Sequence, residues 1–214
     1  MDITPAAAMP DTSRPDAARP DAARPVAKSA ASAVTAAAQL QFRAATHADL
    51  PAVVALVESA YRGDASRAGW TTEADFLGGQ RTSLADITPL LDRPTSRILL
   101  VEGEGSLLAC AHVAVEDGTG YFGMFSVDPQ RQGSGTGSQV LAEAERLVRE
   151  EWACPGMRMT VIDIRDALIA YYERRGYRRT GVHKPVPSGD ARFGLPLRDD
   201  LRFEVLEKIF GDAA

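Results

Sequence analysis

The chain has 214 residues, enough for one domain of ordinary size and too few for two large ones. Its formal net charge of −5 and isoelectric point near 5.3 argue against a dedicated nucleic-acid binder, which would show a basic stripe. No apolar run is long enough to span a bilayer, and His47, His112 and His183 share no local cluster with cysteine or carboxylate, so neither a membrane anchor nor a metal site is expected.

Residues 1–39 are alanine, proline and small polar residues, with the unit RPDAA repeated and balanced charges. Such a segment cannot bury enough surface to offset the entropy of ordering. It reads as a disordered tail or an extension from an upstream start codon, and the domain is expected over 40–214. "LQFRAA" alternates as a short strand. "THADLPAVVALVESAY" follows with Leu50, Val53, Val54 and Val57 at helical spacing and Thr46 and Asp49 placed as a capping box. "TTEADFLGG" has the look of a short second helix with Thr72 and Asp75 as its cap pair, and "SLADITPLLDR" repeats that signature with Ser83 and Asp86.

"SRILLVEGEGSLLACAHVAVEDGTGYFGMFSV" gives three apolar runs separated by glycine turns, the pattern of consecutive antiparallel strands. After it come a glycine-rich turn, a long helix over 136–151, the strand "MRMTVID", the helix "RDALIAYYERRG", a strand from Tyr177 and a last strand "LRFEVLEKIF". The order predicts an α/β (α+β) fold with a mixed, mostly antiparallel sheet of six or seven strands flanked by helices. Cys110 and Cys154 lie in apolar surroundings and read as buried small hydrophobes in a reducing compartment, consistent with a cytoplasmic protein.

The glycine turn "QRQGSGTGS" opens directly into a helix, an arrangement that presents backbone N–H groups and the helix dipole to an anion. A dinucleotide fingerprint has different spacing and follows the first strand of a βαβ unit, and a P-loop needs Lys and Ser or Thr after its last glycine. What is met is Gln-x-x-Gly-x-Gly, at Gln132, Gly135 and Gly137, preceded by "VDP". This segment closely resembles the pyrophosphate loop of the GNAT superfamily of acetyl-coenzyme A-dependent N-acyltransferases. "AYYERRGYRRTG" resembles the second signature of that superfamily, with Tyr172, Glu173, Gly176 and Tyr177 in its places. Together with the strand meander the resemblance covers about residues 41–210. "YRGDASRAGWTTEADFLGGQR" further resembles the interhelical region of a set of bacterial and fungal GNAT proteins.

The resemblance implies acetyl-CoA as acyl donor, no metal, and the following roles. Phe125, Ser126 and Val127 would pair with the pantetheine arm, and a backbone N–H near Phe125 would polarise the thioester carbonyl. Gln132, Gly133, Ser134, Gly135, Thr136 and Gly137 would hold the pyrophosphate, with a hydroxyl from Ser138. Tyr172 stands where the family places its general acid, and Tyr171 reads as the core member of the pair. The strand before the loop carries no acidic residue, so the base is sought among Glu73, Asp163, His112 and bound water. Arg165 replaces the usual asparagine seven residues before Tyr172 and could reach the phosphates instead. The interhelical loop, with Tyr61, Arg62, Trp70, Glu73 and Arg81, would form one wall of the acceptor pocket, and "GDARFGLPLRDDLRF" would close the other. Arginines beside a glutamate suit an amino acid or small amino-carboxylate; Arg62 and Arg81 could equally cap helices or pair with Asp64, Asp75 or Asp86. The reading is an N-acetyltransferase acting on a small-molecule primary amine. A non-catalytic acyl-CoA sensor and a protein or peptide acetyltransferase are the alternatives, and a homodimer stays open.

Overall fold

The computed structural model describes residues 40–69, 72–186 and 194–211. The expectations for the tail and for Trp70 fall outside the described residues. The chain order is β1 (Gln41–Ala44), α1 (Leu50–Tyr61), α2 (Gly63–Ser66), β2 (Leu77–Gly78), α3 (Leu84–Asp92), β3 (Ser96–Gly103), β4 (Ser106–Glu116) and β5 (Thr119–Val127), then α4 (Thr136–Arg146), β6 (Gly156–Ile162), α5 (Asp166–Glu173), β7 (Arg178–Pro185), β8 (Leu195–Pro196) and β9 (Arg202–Ile209). Seven strands form one sheet in the order β1-β3-β4-β5-β6-β9-β7, and β2 and β8 pair separately. Only β5 and β6 run parallel; every other neighbouring pair is antiparallel.

Two apolar layers sandwich the sheet. On one face, Val140, Leu141 and Ala144 of α4 and Leu168, Ile169 and Tyr172 of α5 pack on Val113, Phe122, Met157 and Leu206. On the other, the Leu50, Val53 and Val57 stripe of α1 meets Ile98, Leu100 and Cys110, as its helical spacing requires. The capping signals hold: the Thr46 N–H donates to Asp49 Oδ2 at 2.8 Å, and the Asp86 N–H donates to Ser83 Oγ at 3.3 Å. Asp49 also receives Arg43, which bridges to Glu102 and so joins β1, β3 and the start of α1.

Two local expectations are corrected, and one feature was not anticipated. "TTEADFLGG" is not a helix. The Thr72 hydroxyl is bonded to Ser66, the Glu73 N–H donates to the Tyr61 carbonyl, and Leu77 and Gly78 pair with β8. These partners hold the segment in a turn and a short strand, and the second helix lies earlier, at α2. The helix expected over 136–151 is α-helical only to Arg146, and Leu147–Glu151 form one π-helical turn. Finally, β5 carries a bulge: Cys110 pairs with Ser126 and His112 with Gly123, so Met124 and Phe125 together oppose Ala111. Met124 sits in the left-handed region at φ 49°, a conformation costing roughly 1–2 kcal/mol for a residue with a Cβ.

Candidate active site

The bulge and the parallel pairing create the site. β5 and β6 are bonded only at Gly120–Met157 and Tyr121–Arg158. Among the described residues no further β5–β6 pair forms beyond these, so the Phe125–Val127 end of β5 is bonded to β4 on one side and lines a cleft without a strand partner on the other. The glycine turn closes the end of that cleft. Gly133 and Gly135 have φ of 84° and 88°, and a Cβ built on either would meet nothing within 4 Å. Glycine is therefore required there by the backbone path and not by packing. Gly135 is the N-cap of α4, with the Ser138 and Gln139 N–H groups turned back onto its carbonyl. The Thr136 and Gly137 N–H groups that open the helix have no intrahelical acceptor, as at any helix N-terminus, and are left for an outside one. The cradle thus fits a pyrophosphate.

A groove of about 240 Å³ runs through this region, lined among others by Phe125, Val127, Gln132, Gly135, Tyr171 and Arg175. Of the residues expected to line it, Phe125, Val127, Gln132, Gly133, Gly135, Gly137 and Ser138 do. Ser126 is buried with its hydroxyl on the Met124 carbonyl, and Thr136 is buried with its hydroxyl bonded to Ser134. The side chain of Gln132 donates to the Val127 carbonyl at 3.2 Å, tying the loop to the strand. Arg131, Arg175 and Tyr171 also line the groove and were not anticipated. The Arg175 guanidinium lies 3.5 Å from the centre of the Tyr171 ring and donates to Ser138 Oγ at 2.6 Å. Arg175 lies in the turn just past α5, four residues after Tyr171, and that i, i+4 spacing was the available signal.

The two tyrosines are placed differently from the sequence expectation. Tyr171 is half-buried and forms groove wall, whereas Tyr172 is 4% exposed and packs edge-on against Tyr177. Burial pushes the Tyr172 phenol well above the usual tyrosine range, and Tyr61 and Tyr171 add to the shift.

Behind Phe125 lies a charged cluster. The Tyr61 hydroxyl donates to the Phe125 carbonyl, and the Arg81 guanidinium lies 5.1 Å from the centre of the Tyr61 ring. Burial, with Glu73 adding, raises the Tyr61 phenol to about 12. Glu73 is buried, and both of its oxygens are engaged. Arg62 Nη1 donates to Oε2 at 3.1 Å, Arg165 Nη1 donates to Oε1 at 3.4 Å, and Arg81 Nε lies 3.7 Å from Oε2. Arg165 is thereby held by Glu73 and is not among the groove-lining residues.

Of the other base candidates, Asp163 accepts from Arg202 through Oδ2 at 3.0 Å, while its Oδ1 is buried with no hydrogen-bond partner among the described residues. His112 is buried with Nε2 2.9 Å from Ser96 Oγ, and burial lowers its pKa to about 4, so it is neutral at ordinary pH. Among the described residues no group of three or more His, Cys, Asp or Glu side chains is placed to hold a metal ion, and no helix is long and apolar enough to cross a membrane.

A strand pair opened beside a bulge, facing a glycine-capped helix, fits the class of acyl-CoA-dependent transferases. The chain belongs to the GNAT acetyltransferase family, whose model matches residues 55–177, and it is an acetyl-CoA-dependent N-acetyltransferase. Its fold is similar to that of Ard1 from Thermoplasma volcanium, at TM-score 0.60 and 16% identity over 81% of this chain and 99% of that one. It is similar likewise to the ribosomal-protein-alanine N-acetyltransferase of Brucella melitensis, at TM-score 0.59 and 23% identity over 79% and 99%. A spermidine N-acetyltransferase from Vibrio cholerae gives TM-score 0.59 and 14% identity over 80% and 94%. No curated protein matches the chain in sequence.

Proposed function

We propose that this N-acetyltransferase acts on the primary amine of a small molecule, an amino acid or small amino-carboxylate, by direct attack. The supporting observation is that the groove-lining Phe125 accepts the Tyr61 hydroxyl, with Arg81 over the Tyr61 ring and joined to the Glu73 cluster. The coenzyme thioester supplies the acetyl group: a C–N bond forms, the C–S bond breaks, the amine gives up a proton and the thiolate takes one.

Each residue has a part in that exchange. Gly133–Gly137 and the first turn of α4 hold the pyrophosphate, and Arg131 and Arg175 flank it. The Phe125–Val127 edge of β5 aligns the pantetheine arm, and a backbone N–H near Phe125 polarises the carbonyl. Tyr172, kept protonated by its burial, is the proton donor to sulfur. With both Glu73 oxygens held by arginine, that residue fits a fixed counter-charge better than a base. Water leading to solvent takes the amine proton.

Thiol release from acetyl-CoA, followed over a panel of small amines and peptides, tests the reading. Release with small amines and not with peptides supports it. Tight coenzyme binding with no release on any acceptor would instead identify a sensor.

A further inference from the structure

We infer that Arg62, Arg81 and Arg165, gathered around Glu73, form an internal receiving site for a single carboxylate on the acceptor. The inference rests on the acetyl-transfer reading and names the feature by which the enzyme selects its amine. It starts from charge. Three guanidinium groups face Glu73, and among the described residues the one other carboxylate placed against Arg81 is Glu58, whose Oε1 accepts the Arg81 and Thr82 backbone N–H groups at 2.6 and 2.8 Å. Three positive charges against two negative ones leave room for one more anion.

The hydrogen bonds give the same count. Arg62 and Arg165 are each 8% exposed, yet Arg62 Nε, Arg62 Nη2 and Arg165 Nη2 are buried with no acceptor among the described residues. Arg62 spends only Nη1, on Glu73 and the Tyr61 carbonyl. Buried guanidinium donors without acceptors are costly, and a carboxylate is the group whose two oxygens match their planar fork. Arg81, with a side chain 27% exposed, is the member open to solvent.

Position completes the case. Tyr61 links the cluster to the groove: Arg81 lies over its ring, and its hydroxyl donates to the carbonyl of the groove-lining Phe125. A carboxylate seated on the arginines would therefore leave the amine of a short amino-carboxylate within reach of Phe125. Glu73 sets the spacing of Arg62 and Arg165 and is a positioning residue in this arrangement.

The test uses the full chain with acetyl-CoA and compares glycine, β-alanine, γ-aminobutyrate and glutamate with the carboxamide of each. The expected result is a kcat/KM preference for the free carboxylate of roughly 100-fold for at least one pair. Arg81→Gln should shrink that preference tenfold or more by raising the KM of the carboxylate acceptor, with the KM for acetyl-CoA unmoved. Equal turnover of acid and amide, or a preference that Arg81→Gln leaves intact, overturns the inference while the transfer reading stands. Should no acceptor be turned over, the transfer reading fails, and calorimetry of the same acids and amides with the coenzyme-loaded protein decides the anion site alone. Binding of acids and not amides, weakened by Arg81→Gln, supports the site, and no difference overturns it.

Discussion

At the scale of single residues, the glycine loop was the most legible part of the site. Gly135 carries a φ that an L side chain rarely adopts and has empty space where a Cβ would stand. Gly135→Val is expected to cost about 1–2 kcal/mol of stability and to lower coenzyme affinity by far more than that strain implies, because the branched side chain fills the phosphate cradle. Calorimetric titration with coenzyme A checks this, and an unchanged affinity removes the loop from the binding site. Tyr172→Phe should reduce kcat roughly 100-fold with a smaller change in coenzyme affinity, whereas Tyr171→Phe should act mainly on coenzyme binding. The reverse outcome would make Tyr171 the proton donor. The sequence placed these two tyrosines by their positions in a motif; it could not show that Tyr171 would meet Arg175 over the groove. Nor could it show both Glu73 oxygens held by arginines, since Arg165 lies 92 residues away along the chain.

Elements were read well where the signal was local. The α1 stripe, the Ser83 cap and the two glycine hairpin turns all lie within a few residues of what specifies them. The bulge in β5 gave no warning, because its left-handed residue is Met124 and not the adjacent Gly123. "TTEADFLGG" misled because its cap-like Thr72 and Asp75 have partners elsewhere, Ser66 and Arg67. The β5–β6 junction is the element-scale feature on which the cleft depends. At Gly120 a Cβ would stand 2.3 Å from Val148 Cγ1, on the π-helical turn, and 3.1 Å from the Gly156 carbonyl oxygen. Gly120→Val should therefore destabilise the fold by about 1–3 kcal/mol through overpacking and weaken coenzyme binding by shifting the two strands. Urea unfolding measures the first effect, and an unmoved midpoint would contradict this account of the junction.

For the whole molecule, the strand meander and the mixed α/β class were visible in the order of elements, but the sheet order was not. The last long strand, β9, inserts between β6 and β7, and no local pattern records a pairing between distant segments. The buried ionisable groups make a prediction at the same scale. Burial raises the pKa of Tyr61 and Cys110 to about 12, and it raises those of Tyr121, Tyr172 and Tyr177 as well. Between about pH 9 and pH 12 the unfolded chain sheds protons that the folded chain keeps, so stability is intact below that window and falls as pH rises through it. Thermal midpoints should decline steadily from pH 9 upward, and a flat profile to pH 11 would contradict the burial of these groups.

The central claim, acetyl transfer to a small amine, is tested most directly by incubating the protein with isotopically labelled acetyl-CoA and a mixture of amino acids, polyamines and peptides. Mass spectrometry then shows where the label goes. The account predicts labelled N-acetyl product on a small carboxylate-bearing amine, lost with Gly135→Val. Label on peptides alone, or on no acceptor while the coenzyme binds, would contradict it.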